Sequence, residues 1–366
     1  MPGVDAEIDP NVELLADIPI AGPEEDLMDL GRLAQRLVEL AVAAPVTAPR
    51  MVALTGPSGG GKSSVLRMVS SLLAARPDNA LATLDAATYA SAQGVMSALV
   101  AELTRLFASL GMIETSDKVR NTLASYGGFV SGLVRLAGVK VDVAGALERS
   151  PEAMRAEIAQ NLEQAQRRLV IVIDHVDRLP PAELGAALVG LRMYAAIPYV
   201  AIVIAADRHA LATRPFAEGA DWLAFERVVQ VELALPPCDR FLLARVMVGG
   251  LERIGTRIRR NLDGAFRLFD PEGGLGLDLV ETPRDAKRAI NALAAALPLV
   301  PRHADVGDAA LEIVLRVLVP EIDGVRLQAR KRTRDPNALY AELVHKLGGH
   351  RQLESARNAL RALLFG

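Results

Sequence analysis

Gly56-Pro57-Ser58-Gly59-Gly60-Gly61-Lys62-Ser63 constrains this chain more than any other stretch of it. The spacing is G-x-x-x-x-G-K-S. It comes directly after the apolar run MVALT (51–55) and opens the segment SSVLRMVSSLLAA (63–75). A short apolar run bounded by Pro49 and Gly56 predicts a buried strand, and the segment after the loop predicts a helix. Glycines let the intervening backbone curl until its N–H groups converge, and a helix N-terminus adds a dipole that favours an anion there. A phosphate is the anion that such a loop fits. Lys62 is expected to reach the outer phosphates of a nucleotide and the Ser63 hydroxyl to ligate Mg²⁺, with Ser64 beside them in the binding set.

Four more runs have strand character: ALATLDA (80–86), RLVIVID (168–174), YVAIVIAAD (199–207) and ERVVQVEL (226–233). Helical patterns separate them. Residues 91–110 carry Val95, Leu99, Leu103 and Leu106 on one face. Ser150-Pro151-Glu152 reads as a helix start leading to about 168, and Pro180-Pro181 opens another helix to about 196. Upstream, residues 24–43 place Leu27, Leu30, Leu33, Leu37 and Leu40 at three- and four-residue spacing, which predicts an amphipathic helix. Near-continuous apolar strands alternating with helices predict a parallel sheet covered on both faces.

The expected architecture is therefore α/β in three layers, around a mostly parallel five-stranded sheet. Residues 1–45 read as an acidic arm and the amphipathic helix, 46–235 as the core, and the Gly-rich, poorly periodic stretch 111–150 as an insertion in it. After Pro236-Pro237 the pattern is helical to the end, divided into 236–300 and 301–366.

Composition removes several function classes. Hydrophobic residues are 51% and charged residues 23%, enough to bury a large core. Lys and Arg number 41 against 44 Asp and Glu, so the net charge is −3 and a nucleic acid wrapped along the whole chain is not expected. Cys238 is the sole cysteine, which excludes an intramolecular disulfide and a cysteine zinc site. The start MPGVDAEIDP has neither the basic nor the apolar region of a secretory signal, and a cytoplasmic location is the expectation. The nearest candidate for a membrane span, 127–147, is interrupted by Arg135, Lys140 and Asp142. Two charge runs remain. Residues 1–31 hold nine acids and no base, a solvated arm. Arg326, Arg330, Lys331, Arg332 and Arg334 can meet phosphate or an anionic surface, although no aromatic residue interleaves with them and nucleic acid is not the favoured partner.

The magnesium of a phosphate loop needs a further carboxylate, expected at the end of the strand next to the loop. Asp174, closing LVIVID, is the candidate. His175 follows it, and Asp177 lies two residues further on in DHVDR. Asp177 is the preferred base or water-positioning group, with the His175 imidazole as the other candidate.

These blocks resemble the KAP family of P-loop NTPases, relatives of AAA+ and STAND ATPases. GPSGGGKS (56–63), IVIDHVDRLPP (171–181), AIVIAADRHAL (201–211), FERVVQVELALPP (225–237) and TPRDAKRAINAL (282–293) occur in the family's order, from about residue 20 to 300. The resemblance implies ATP and Mg²⁺ as ligands, and Asp207 with Arg208 as the post-strand region near the γ-phosphate. It also makes 236–300 a lid, whose Arg284, Lys287 and Arg288 would close on the nucleotide. Thr282 as cap and Pro283 at the first position predict the start of that lid helix, with Arg284 and Arg288 four apart on one face. Arg178 and Arg227 are candidate arginine fingers in an oligomer. His175 stands where the family pattern has a second acid, and the 111–150 insertion carries no spanning segment, so the soluble branch is the better comparison. The expected function is that of a slowly hydrolysing ATPase, acting as a nucleotide-dependent switch or assembly regulator with a protein partner or with itself. A hydrolysis-deficient ATP-binding module that recruits a partner is the alternative, and a DNA-loading AAA+-type ATPase is a third reading.

Overall fold

The computed structural model describes residues 14–20, 26, 28–45, 47–48, 50–89, 91–109, 151–213, 225, 228–322, 335–348 and 352–365. The insertion 111–150, Arg227 and the basic cluster from Arg326 to Arg334 lie outside the described residues. The chain divides into two compact units, one of residues 19–236 and one of residues 1–18 with 237–366.

In the first unit five strands form one sheet among the described residues: β1 (Arg50–Thr55), β2 (Asn79–Asp85), β3 (Arg168–Asp174), β4 (Val200–Ala206) and β5 (Val231–Ala234). Their order is β2-β3-β4-β1-β5, and every pairing is parallel. The period-two alternation of each strand feeds two cores. Met51, Ala53, Ile171, Ile173, Ile202 and Ile204 face one of them. Val52, Leu54, Val170, Val172, Val203 and Ala205 face the other. Helices α1 (Gly31–Val42) and α2 (Lys62–Ala74) cover the second face with Leu37, Val38, Val65, Val69 and Leu73. Helices α3 (Ala92–Ser109), α4 (Pro151–Gln164) and α5 (Pro181–Ala195) cover the first. All seven residues of β4 are buried, as a strand with neighbours and helices on every side must be. An Ile204→Ala cavity there is expected to cost about 2–5 kcal/mol.

Two elements differ from the sequence expectation. Helix α1 begins at Gly31, not near residue 24, because the Asp26 carboxylate accepts from the amides of Leu30 (3.0 Å) and Gly31 (2.7 Å) and so sets the helix start. β5 is confined to Val231–Ala234, whereas Phe225 and Val228 are helical and buried in the first core. Upstream of β5 the ladder continues through one residue: Gln230 N–H donates to Met51 O at 3.0 Å, and the Gln230 side chain accepts from Met51 N. Among the described residues β5 pairs only with β1, and its residues are alternately half-buried and exposed, as on a sheet edge.

Helix α6 (Arg208–Thr213) follows β4. The second unit is helical: α7 (Arg240–Ile258), α8 (Asp263–Arg267), α9 (Pro283–Ala296), α10 (Val306–Leu318), α11 (Pro336–Leu347) and α12 (Leu353–Phe365). They share one core containing Met247, Leu251, Phe269, Ile290, Leu315, Leu343 and Leu360, so the described residues of 237–300 and 301–366 pack around a single core. α9 starts on a capping box: Thr282 Oγ1 accepts from Asp285 N, the Asp285 carboxylate accepts from Thr282 N, and Pro283 occupies the first turn. Residues 15–17 run along the same helix. Leu15 exchanges two hydrogen bonds with the Asn291 side chain (2.8 and 3.0 Å), and Lys287 Nζ donates to Ala16 O at 3.0 Å. Among the described residues no helix is long and apolar enough to cross a membrane.

Candidate functional site

The loop leaves the sheet where β1 ends. Gly56 N still donates to Ala206 O of β4 (3.2 Å), and a side chain at 56 would drive a Cβ to 2.9 Å from Leu235, so the chain turns there only as glycine. Gly60 N closes back on Pro57 O at 3.1 Å. At Gly61 the backbone is left-handed (φ 107°), after which α2 begins at Lys62 with no side-chain cap and no acid in its first turn. The early amides of a helix lack intrahelical partners and stand at the positive end of its dipole, and the first turn of α2 carries no acid of its own. Lys62 is 7% exposed, and its ammonium donates to Gly56 O (2.8 Å) and Pro57 O (3.1 Å), inside the curl of its own loop. The Ser64 hydroxyl is turned elsewhere and accepts from Ile20 N at 3.3 Å.

Three aspartates stand at the carboxyl ends of neighbouring strands: Asp85 on β2, Asp174 on β3 and Asp207 just after β4. The expectation that Asp174 ends the strand next to β1 is corrected, since β4 lies between β1 and β3. Asp207 is 9% exposed, and both its oxygens are engaged: Oδ2 accepts from Ser58 N of the loop (2.9 Å), and Oδ1 accepts from Ala210 N in α6 (3.1 Å). Its carboxylate thus holds the loop at its third residue. Beside it, Glu232 on β5 accepts from Thr55 Oγ1 (2.8 Å) and from Arg208 (3.4 Å).

His175 turns the chain at the end of β3. Its backbone is left-handed (φ 57°, ψ 33°), uncommon for a residue with a Cβ and costing of order 1–2 kcal/mol. Its N–H donates to Asp174 Oδ1 at 2.8 Å, which offsets part of that cost. The turn aims the ring at two sites at once. Nδ1 is 3.0 Å from Asp85 Oδ1 and 3.6 Å from Asp174 Oδ2, and Nε2 is 3.5 Å from Ser63 Oγ. Asp177, the acid preferred from sequence, sits in a short 3₁₀ turn (Val176–Arg178) and is 8% exposed. Arg178 of that turn is exposed. The group that the structure brings to Ser63 is therefore the imidazole.

Sequence reasoning missed Asp85. The signal was present, since ALATLD ends on an acid as LVIVID does. Only the pairing of β2 with β3, which sets Asp85 opposite Asp174, gives that acid a meaning.

The lid candidates belong to the helical unit, and each has its own partner there. Arg284 Nε is 2.7 Å from Asp17 Oδ2, and Arg288 donates to Val317 O at 2.8 Å. The two guanidiniums share a helix face but not a ligand.

A family model described as the KAP family P-loop domain matches residues 32–300. A curated relative, the phage T7 exclusion protein of Escherichia coli strain K12, is 22% identical over 356 residues, covering 84% of this chain and 46% of that protein. The chain thus spans about half of that relative's length. Among solved structures, the Aeropyrum pernix ORC2 protein aligns with a TM-score of 0.42 at 14% identity, covering 95% of this chain and 82% of that one. Cdc6p of Pyrobaculum aerophilum aligns at 0.44 with 12% identity, covering 93% and 80%. A Walker-type ATPase of Pyrococcus abyssi aligns at 0.44 with 15% identity, covering 95% and 93%. With well over half of its residues matched by the family model and the glycine-rich loop seated between β1 and α2, the chain belongs to the KAP family of nucleotide-binding P-loop NTPases.

Proposed function

We propose that this protein binds Mg-ATP at the 56–63 loop, hydrolyses it slowly, and works as a nucleotide-dependent switch or assembly regulator. The observation that carries the reading is the pairing of a complete phosphate loop with an imidazole, not a second carboxylate, facing Ser63 at 3.5 Å. On this reading Lys62 exchanges the Gly56 and Pro57 carbonyls for phosphate oxygens. That exchange keeps the ammonium hydrogen-bonded throughout and so avoids stranding a buried charge. The amides of the loop and of the first turn of α2 supply the remaining donors.

Ser63 and Asp174 would hold the magnesium. A hydroxyl with a carboxylate is the hard-oxygen set that Mg²⁺ takes alongside phosphate and water. Bound there, the ion would neutralise charge on the β- and γ-oxygens. His175 orients the attacking water. A neutral imidazole offers a single acceptor nitrogen where a carboxylate offers two oxygens, and turnover below the typical enzyme median of about 10 s⁻¹ follows.

Phosphate release under saturating Mg-ATP tests this directly. Measurable turnover well under that median supports the reading, and turnover at or above it would overturn the slow-hydrolysis proposal. The alternative of an ATP-binding module that recruits a partner without hydrolysis is favoured by the same absence of an acid at 175. It predicts ATP binding with no phosphate release.

A further inference from the structure

We propose that Asp85, at the end of β2, is a positioning residue for His175: it holds the imidazole as the tautomer whose Nε2 accepts a hydrogen bond. The inference rests on the hydrolysis reading for its consequence in turnover, but not for its geometry. Asp85 Oδ1 is itself fixed, because it accepts from Ala87 N at 2.9 Å and caps the short 3₁₀ turn Ala86–Thr88. The same oxygen is 3.0 Å from His175 Nδ1. Asp174 Oδ2, at 3.6 Å, is too far from that nitrogen to compete for its proton.

A neutral imidazole carries one N–H, and an ionised carboxylate can only accept. Asp85 therefore draws the proton to Nδ1 and leaves the Nε2 lone pair facing the Ser63 hydroxyl and the space beside it. The backbone completes the arrangement. The left-handed turn at His175, secured on Asp174 Oδ1, places the ring between β2 and α2, so that Asp85 on one side and Ser63 on the other set its plane. Without Asp85 the ring is free to carry its proton on Nε2. That N–H would then point at Ser63 and could not accept from a water. A chain that lacks the second acid after Asp174 thus recruits a carboxylate from the neighbouring strand, acting through a histidine.

A plain turn cap is the competing role for Asp85, and Asp85→Ser separates the two. Serine caps a helical turn about as well as aspartate, but its hydroxyl ends short of the imidazole. In the full chain labelled with ¹⁵N-histidine, the His175 signal is identified as the one lost in His175→Ala. We expect it to report protonation on Nδ1 in the wild type and on Nε2, or a mixture, in Asp85→Ser. Asp85→Ser should lower turnover at least about tenfold while Mg-ATP affinity changes by less than about twofold. Asp85→Ser combined with His175→Ala should be no slower than His175→Ala alone, because the first residue acts through the second. An Nε2-protonated wild-type ring, a tautomer unchanged in Asp85→Ser, or losses that multiply in the double variant would each overturn the proposal. A wild type that binds Mg-ATP and releases no phosphate would defeat the hydrolysis reading, and the tautomer measurement would then decide the role of Asp85 by itself.

Discussion

The candidate phosphate ligands of the two units are held in opposite ways. Lys62 is buried, and its partners are the carbonyls of Gly56 and Pro57, six and five residues back along the chain. Arg284 in α9 is bound by Asp17, 267 positions away, and Arg288 by the carbonyl of Val317, 29 positions away. Their helix starts differ in the same sense. α2 opens on a left-handed glycine with no side-chain cap, whereas α9 opens on a capping box in which Thr282 and Asp285 each accept from the other's amide. A cation whose partners lie within its own loop keeps one position whatever the rest of the chain does. Cations committed to surface partners exchange them at low cost. The Arg284–Asp17 pair, with side chains 31% and 53% exposed, is worth well under about 1 kcal/mol.

The strongest test of this contrast is Lys62→Ala, which should weaken ATP binding at least tenfold, about 1.4 kcal/mol, by calorimetric titration. Unchanged affinity would mean that the loop is not the phosphate site. The helix starts offer a matched pair. Gly61→Ala forces a side chain into a left-handed turn and brings its Cβ to 3.0 Å from Leu30, and Thr282→Ala removes the cap of α9. Each should cost about 1 kcal/mol in urea denaturation, but only Gly61→Ala should reduce nucleotide affinity. Equal effects on binding would erase the distinction between an open and a closed helix start.

The smallest effect concerns the proposed lid. If Arg284 and Arg288 engage the γ-phosphate, ATP should protect residues 282–297 from amide exchange more than ADP does. Asp17→Asn, which removes the charge paired with Arg284, should then widen that difference. Identical protection by both nucleotides in both proteins would leave α9 a structural helix, and the contrast between the units would concern stability alone.

Much of this was legible in the sequence because it is decided within a few residues. The strand-loop-helix around Lys62, the capping box at Thr282 and the strand-terminal Asp174 follow from periodicity, glycine placement and side-chain-to-backbone hydrogen bonds between near neighbours. The lateral order of the strands does not. Parallel strands with apolar faces are interchangeable as local patterns, and it takes the packed sheet to put β4 between β1 and β3 and to make β2 the neighbour of β3. That order, with the left-handed turn at His175, brings Asp85 to His175 across 90 residues and His175 to Ser63 across 112. It likewise took packing to join residues 15–17 to α9, where Asn291, Lys287 and Arg284 supply partners that an acidic run cannot announce from its own composition. The order of residues fixed the strand, the glycine turn and the helix start of the proposed phosphate loop, because a loop's hydrogen-bonding geometry is local. Which side chains stand around that loop depends on the packed fold, because a contact between distant residues exists only once the surfaces between them are buried.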